Sequence, residues 1–190
     1  MNPICLETER LILRPYTMDD LDTLANILKN PDVMRFMPGS LPLMREKSEK
    51  TLKSIIAHWE KHDYGWWAVT LKGNPQAIGW CGLGLLDETN ETEVLYLLDR
   101  PYWGQGITTE AAKASLRYGF EELKLDRIIA LAFHENIGSR RVMEKCNLTY
   151  QKDAVYFGLN LVCYHILQEE FQADNSVYII HKTGIETQPQ

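Results

Sequence analysis

Two glycines one residue apart, Gly104 and Gly106, stand in RPYWGQGITTEAAKASL (residues 100–116), just after an apolar run and just before a helical pattern. A strand that ends in such a loop and opens a helix aims unpaired backbone N–H groups and the positive end of the helix dipole at one point, which suits an anion. Neither glycine carries a Cβ to collide with an approaching phosphate, although a glycine pair of this kind can also serve a plain turn. The chain has no G-x-x-x-x-G-K-[ST] and no third glycine of the dinucleotide fingerprint, so neither of those phosphate loops applies. His58 and His62 in HWEKH have a metal spacing, but the order is not H-E-x-x-H and no third ligand is evident. A solvated helix face is the plainer reading, and no metal is expected. Trp59, Trp66, Trp67, Trp80 and Trp103 could stack nucleobases, yet a net charge of -6 and the lack of a basic groove oppose nucleic acid and leave them as core or cleft wall.

Other elements must position that loop. With 190 residues, 45% apolar and 24% charged, the composition is that of an ordinary globular domain with one core. No apolar run is long enough for a bilayer, the N-terminal MNPICLETERLIL is broken by charges, and the cysteines show no C-x-x-C spacing. A cytoplasmic protein without a membrane partner is expected. ETERLILRPY reads as a strand, after which Thr17 and Asp20 form a short capping box for a helix bearing Leu21, Leu24, Ala25 and Leu28, stopped at Asn30-Pro31. A second helix runs from about Met44 to His62, with Leu52, Ile55, Ile56 and Trp59 on one face. YGWWAVTLK, PQAIGWCGLGLL and TEVLYLLD form an antiparallel meander, separated by turns at Gly73-Asn74-Pro75 and Asp87-Glu88-Thr89-Asn90. The glycine loop opens a helix from about Gly106 to Lys124, and the almost wholly apolar RIIALAF returns parallel to the strand before the loop. A short helix from Asn136 to Lys145 stops at a left-handed Asn147, and LTYQKDAVYFGLNLVCYHILQEEF supplies a final hairpin. The fold class is α/β with a mixed sheet. Residues 1–171 form a single domain and residues 172–190 a polar tail, in which SVYIIHK could add one short strand.

The run TEVLYLLDRPYWGQGITTEAAKASLRYGFEELKLDRIIALAFHENIGSRRVMEKCNL resembles the GNAT superfamily of acetyl-CoA-dependent N-acetyltransferases. It is similar above all to the branch of ribosomal-protein N-terminal acetyltransferases, with its E-x-G-Y-W-L, Y-W-G-x-G-Y-A-T-E-A and E-N-x-x-S-x-R-V-x-E-K-x-G-F blocks. The likeness runs from Glu9 to Phe171. It implies a central sheet with helices on both faces, in which TEVLYLLD splays from RIIALAF to form the acetyl-CoA cleft. It further implies that the amides of Gly104, Gln105, Gly106, Ile107, Thr108 and Thr109 hold the pyrophosphate. Backbone groups of Leu97 and Leu98 and the side chain of Asn136 then hold the pantetheine arm; Asn136 can also be a helix N-cap. Four positions depart from the pattern: Trp103, usual for this branch, begins the loop motif, Thr108 replaces a small residue, Leu95 a glycine, and Met143 a tyrosine that protonates the departing thiolate.

Acetyl transfer to nitrogen needs a neutral amine, a polarised carbonyl and a stabilised thiolate, and no metal. The resemblance assigns the polarising N–H to Leu97 or Leu98. It matches Glu93 to an acidic position entering the splayed strand, which makes Glu93 the first candidate base and a solvated strand-end carboxylate its alternative. His134, with an ordinary pKa near ~6.5, is the second candidate beside its plainer structural reading. Ser139 matches a serine of the branch and is the candidate thiolate acid, or else a helix cap; Tyr164 is a further candidate, or else packing. The expected acceptor is a primary amine, in first place the α-amino group of a basic peptide or protein, with polyamines, aminoglycoside-like amines or an idle coenzyme-A-binding role as alternatives. A homodimer is left open.

Overall fold

The computed structural model describes residues 4–87 and 89–182, so the turn position at Glu88 and the end of the tail lie outside the described residues. Among these residues the strands are β1 (Ile4–Glu7), β2 (Leu11–Arg14), β3 (Trp66–Leu71), β4 (Ala77–Leu86), β5 (Glu91–Leu98), β6 (Arg127–Ala132), β7 (Thr149–Tyr156), β8 (Leu159–Leu167) and β9 (Ile179–Lys182). The helices are α1 (Leu21–Leu28), α2 (Pro31–Met34), α3 (Arg45–His62), α4 (Ile107–Glu121) and α5 (Ile137–Lys145). All the strands form one sheet in the order β7-β8-β6-β5-β4-β3-β2-β1-β9, antiparallel throughout except between β5 and β6.

Most elements follow the local pattern. Thr17 N–H donates to Asp20 Oδ2 at 3.0 Å ahead of α1, and Asn147, at φ 63°, ends α5 in the left-handed region. Phe157 and Gly158 both have positive φ, the conformation that joins two strands tightly, and they link β7 to β8. The N-terminal strand is an exception, because ETERLILRPY is broken into the β1–β2 hairpin. Thr8 N–H donates to Leu11 O at 3.0 Å, and the carboxylate of Glu110 holds the turn by accepting from Thr8 Oγ1 at 2.6 Å and Arg10 N–H at 2.9 Å. That brace comes from α4, about a hundred positions away, and leaves no local pattern.

Directly paired residues share a sheet face. Trp67, Cys81 and Tyr96 therefore lie on one face, and Trp66, Gly82 and Leu95 on the other. The first face is covered by α4 and α5. Cys81 Sγ lies 3.5 Å from Ser115 Oγ, and the fully buried Trp67 meets Tyr118 edge-on at 5.2 Å. Burial of a side chain of that size stabilises the packing by roughly 2–3 kcal/mol. On the second face, His58 of α3 stacks on Trp66 at 6.0 Å, and Phe36, just after α2, meets Phe133 at 6.3 Å.

Beyond β8 the chain crosses α4 as a strap. Phe171 stacks on Phe120 at 4.8 Å, Asp174 pairs with Lys113 at 2.7 Å, and Arg117 lies 4.5 Å from the Tyr178 ring centre. The strap ends in β9, which adds to the sheet beside β1 in register Leu6↔Ile180.

Candidate active site

Gly104 and Gly106 both adopt φ 75°, where a side chain would be strained, and Gly106 is the N-cap of α4. Among the described residues no internal hydrogen bond uses the backbone N–H groups of residues 104–109. These free donors meet the dipole of a 15-residue helix. The loop is fixed from outside, since Arg10 donates through Nη1 to Gln105 O at 3.0 Å and through Nε to Glu110 Oε2 at 2.6 Å. The other end of the loop is tied by Trp103, whose Nε1 donates to Leu98 O at 2.7 Å under the guanidinium of Arg100. Rigid, unpaired donors with open space at Gly104 fit a pyrophosphate.

The parallel pairing of β5 and β6 consists of one register position, Glu93↔Ile129. Beyond Glu93 the two strands diverge, so from Val94 to Leu98 the edge of β5 that faces β6 has no strand partner. Leu97 O lies against Gly79 of β4, and Leu98 O accepts from Trp103. Strand alternation then directs the backbone of Tyr96 and Leu98 toward the opening. Leu95 is accommodated by glycines on β4, with Gly82 directly opposite and Gly84 beside its Cδ2.

Glu93 sits where the strands part. Burial pushes its carboxyl up to about 8, and a hydrogen bond from the Leu131 backbone lowers it only in part. Above the divergence, α5 brings two more candidates together. Asn136 caps α5 by accepting from Ser139 N–H at 3.2 Å, which leaves its amide nitrogen free. Ser139 Oγ lies 3.0 Å from Tyr96 Oη, and Tyr96 also reaches Ser139 O at 3.1 Å. Burial raises the Tyr96 pKa above the ordinary tyrosine value. Tyr96 was not singled out in the sequence, although the tyrosine of the E-x-G-Y-W-L block marks its position.

The remaining candidates lie apart from this group. His134 Nε2 is 3.3 Å from Asp153 Oδ1, and its ring is half exposed. Tyr164 Oη donates to Glu144 at 3.3 Å and accepts from Arg140 at 3.3 Å, so its hydroxyl is already engaged by side chains of α5. Met143 is buried in the core. His58 is not on a solvated face: it is half-buried between Trp66, Tyr64 and His62, and desolvation followed by the charge of His62 lowers its pKa. Among the described residues no cluster of His, Cys, Asp or Glu is placed to hold a metal. A cavity of about 340 Å³ runs between the strap and α4, lined by Gly106 and Thr109 at the end of the glycine loop as well as by Glu110, Lys113, Arg117 and Tyr178.

A family model described as an acetyltransferase (GNAT) domain matches residues 10–149. The N-acetyltransferase p20 of Bacillus licheniformis, itself uncharacterized, is 30% identical over 152 residues, covering 79% of this chain and 84% of its own length. A crystal structure of a GNAT-family acetyltransferase from Bacillus anthracis superposes with a TM-score of 0.75 at 27% identity, covering 87% of this chain and 99% of that one. RimL, a ribosomal L7/L12 α-N-protein acetyltransferase solved with coenzyme A, shares the fold with a TM-score of 0.70 at 17% identity, covering 84% of this chain and 95% of its own.

Proposed function

The chain belongs to the GNAT family of acetyl-CoA-dependent N-acetyltransferases, and from that premise we propose that its acceptor is the α-amino group of a basic peptide or protein. The observation that carries this reading is Glu93, a half-buried carboxyl pushed up to about 8 by desolvation where β5 and β6 part. An α-amino group titrates near ~8 and a lysine side chain near ~10.4. A base at about 8 therefore takes a proton from the former almost without cost, and from the latter uphill. The net charge of -6 favours a cationic acceptor.

Acetyl-CoA supplies an activated thioester, whose acetyl group passes to the amine while its sulfur leaves as thiolate. The amides of Gly104, Gln105, Gly106, Ile107, Thr108 and Thr109 hold the pyrophosphate at the N-terminus of α4. The free edge of β5 at Tyr96 and Leu98, rather than Leu97, whose backbone faces β4, and the Asn136 amide hold the arm, and a backbone N–H on that edge polarises the carbonyl. Glu93 accepts the ammonium proton. It is preferred to His134, whose ring is tied to Asp153 at the surface. Ser139 Oγ–H donates to the departing sulfur, and the single Tyr96 Oη–H, within reach of both Ser139 O and Ser139 Oγ, turns from the carbonyl to the serine oxygen as it does so, which links the two hydroxyls in one chain. All four cysteines are free thiols and no described helix is long and apolar enough to cross a membrane, which supports a reducing, cytoplasmic setting.

The test is thiol release from acetyl-CoA with basic peptides bearing free or blocked N-termini, each with an internal lysine, beside a panel of small amines. Release that depends on a free N-terminus is expected. An unchanged rate with the blocked peptide, or a much better small amine, overturns this acceptor.

A further inference from the structure

Among the described residues, six buried side-chain nitrogen or oxygen atoms lack a hydrogen-bond partner, and three of them are His58 Nε2, Trp66 Nε1 and Trp80 Nε1. These three belong to one patch. Trp66 stacks on Trp80 at 6.2 Å and on His58 at 6.0 Å. Trp80 is 3% exposed, so its indole N–H has no access to bulk water. A buried donor left unpaired is costly, and such orphans mark places that a ligand or an ordered water completes.

The patch adjoins the base. Trp66 pairs across the sheet with Gly82, Gly82 with Leu95, and the next same-face pair along the strands is Gly84↔Glu93. The Trp66 indole leans over Gly84, because a Cβ placed there would lie 2.7 Å from Trp66 Nε1 and 3.0 Å from Leu95 Cδ2. Only a glycine permits that position. An indole N–H is thus held without a partner over Gly84, one strand spacing from the Glu93 backbone and on the face that the Glu93 side chain shares.

An indole N–H donates and never accepts. A ligand that completes it must present an acceptor lone pair, and one that also delivers an amine to Glu93 must carry that acceptor a few bonds from the nitrogen. An α-aminoacyl group does so through its carbonyl. A polyamine, whose remaining nitrogens are protonated near neutral pH, does not. We propose that Trp66 is a specificity-determining residue, its Nε1–H donating to the first carbonyl oxygen of an α-aminoacyl acceptor while Glu93 receives the adjacent ammonium. This rests on the reading of Glu93 as the base at the acceptor site.

The experiment pairs a peptide with an analogue in which the first carbonyl is reduced to methylene, assayed with the wild-type protein and with Trp66→Phe, which keeps the ring and removes the N–H. Reduction also alters amine basicity, but that effect is common to both proteins and cancels in the ratio of ratios. The preference for the carbonyl peptide in kcat/KM is expected to fall about tenfold in Trp66→Phe. Gly84→Ala, whose methyl displaces the indole, should reduce the preference in the same direction, and it serves if Trp66→Phe does not fold. Dissociation constants of both peptides on the coenzyme A-loaded protein give the same comparison without turnover. A binding preference that Trp66→Phe removes upholds the proposal even if no peptide is acetylated, in which case the acceptor reading alone fails. An unchanged preference in both variants, in rate and in binding, overturns it.

Discussion

Replacing Glu93 by glutamine keeps its size and removes its ability to take a proton. An ordinary glutamate titrates near 4.5, whereas this one is pushed up to about 8. Moving a proton from an α-ammonium group at ~8 to an ordinary carboxylate would be uphill by at most roughly 5 kcal/mol, at ~1.4 kcal/mol per pH unit; to this carboxylate it is nearly level. Glu93→Gln should therefore lower turnover by about 10²–10⁴-fold near neutral pH with little change in coenzyme A affinity. The deficit should shrink above pH ~9, where the amine is already neutral. A fluorinated amine that is neutral over the whole range should show little deficit at any pH. The assay is initial-rate thiol release between pH 6 and 10 with both acceptors. Stability should move in the opposite sense. Because the folded pKa is raised, the wild-type carboxyl is fully compatible with the fold below about 4.5 and costs stability as pH rises through about 8. Glu93→Gln should consequently gain thermal stability relative to wild type at pH 8.5 and none at pH 4. A variant within threefold of wild-type turnover at pH 7, or one whose deficit is the same for both amines, would refute the reasoning.

Gly106→Val should abolish the rise in Tm that acetyl-CoA produces, because φ 75° and the phosphate approach both exclude a β-branched side chain; retained cofactor affinity in a folded variant counts against the loop. Ser139→Ala and Tyr96→Phe should each lower kcat with little effect on acceptor KM, and the double variant should lose little more than Ser139→Ala alone, since the hydroxyls lie 3.0 Å apart in one chain. Additive losses would separate them. Arg10→Ala should weaken coenzyme A binding without touching the acceptor site, as read by calorimetry, because its Nη1 holds Gln105 O.

The meander and the helix after the glycine loop were legible because each is specified by its own periodicity and turn residues. The break at Thr8-Glu9-Arg10 was not, since the carboxylate that holds it belongs to Glu110. The site divides in the same way. The loop amides and Asn136 stand in recognisable blocks, and Glu93 could be placed on the strand that borders the cleft. Its raised pKa depends on how β6 covers it, and that requires the sheet. His58 was misplaced because helical spacing alone cannot tell which side of α3 meets the start of β3. Trp66 gave no signal of its own, as its orphaned nitrogen exists only where Gly84 leaves room.

The strap bears on the order in which the molecule is completed during synthesis. β1 emerges early, yet its outer edge is covered by β9, and the pair Glu7–His181 joins positions 174 apart. Until the strap arrives, a nascent chain presents an open strand edge and leaves Phe120, on the helix that follows the glycine loop, without part of its cover. A chain that has made the glycine loop but not the strap would thus lack a fully secured helix behind that loop, and a ligand held there would find a weaker site than the completed fold offers. Such long-range closure slows folding and leaves the incomplete chain prone to self-association through β1.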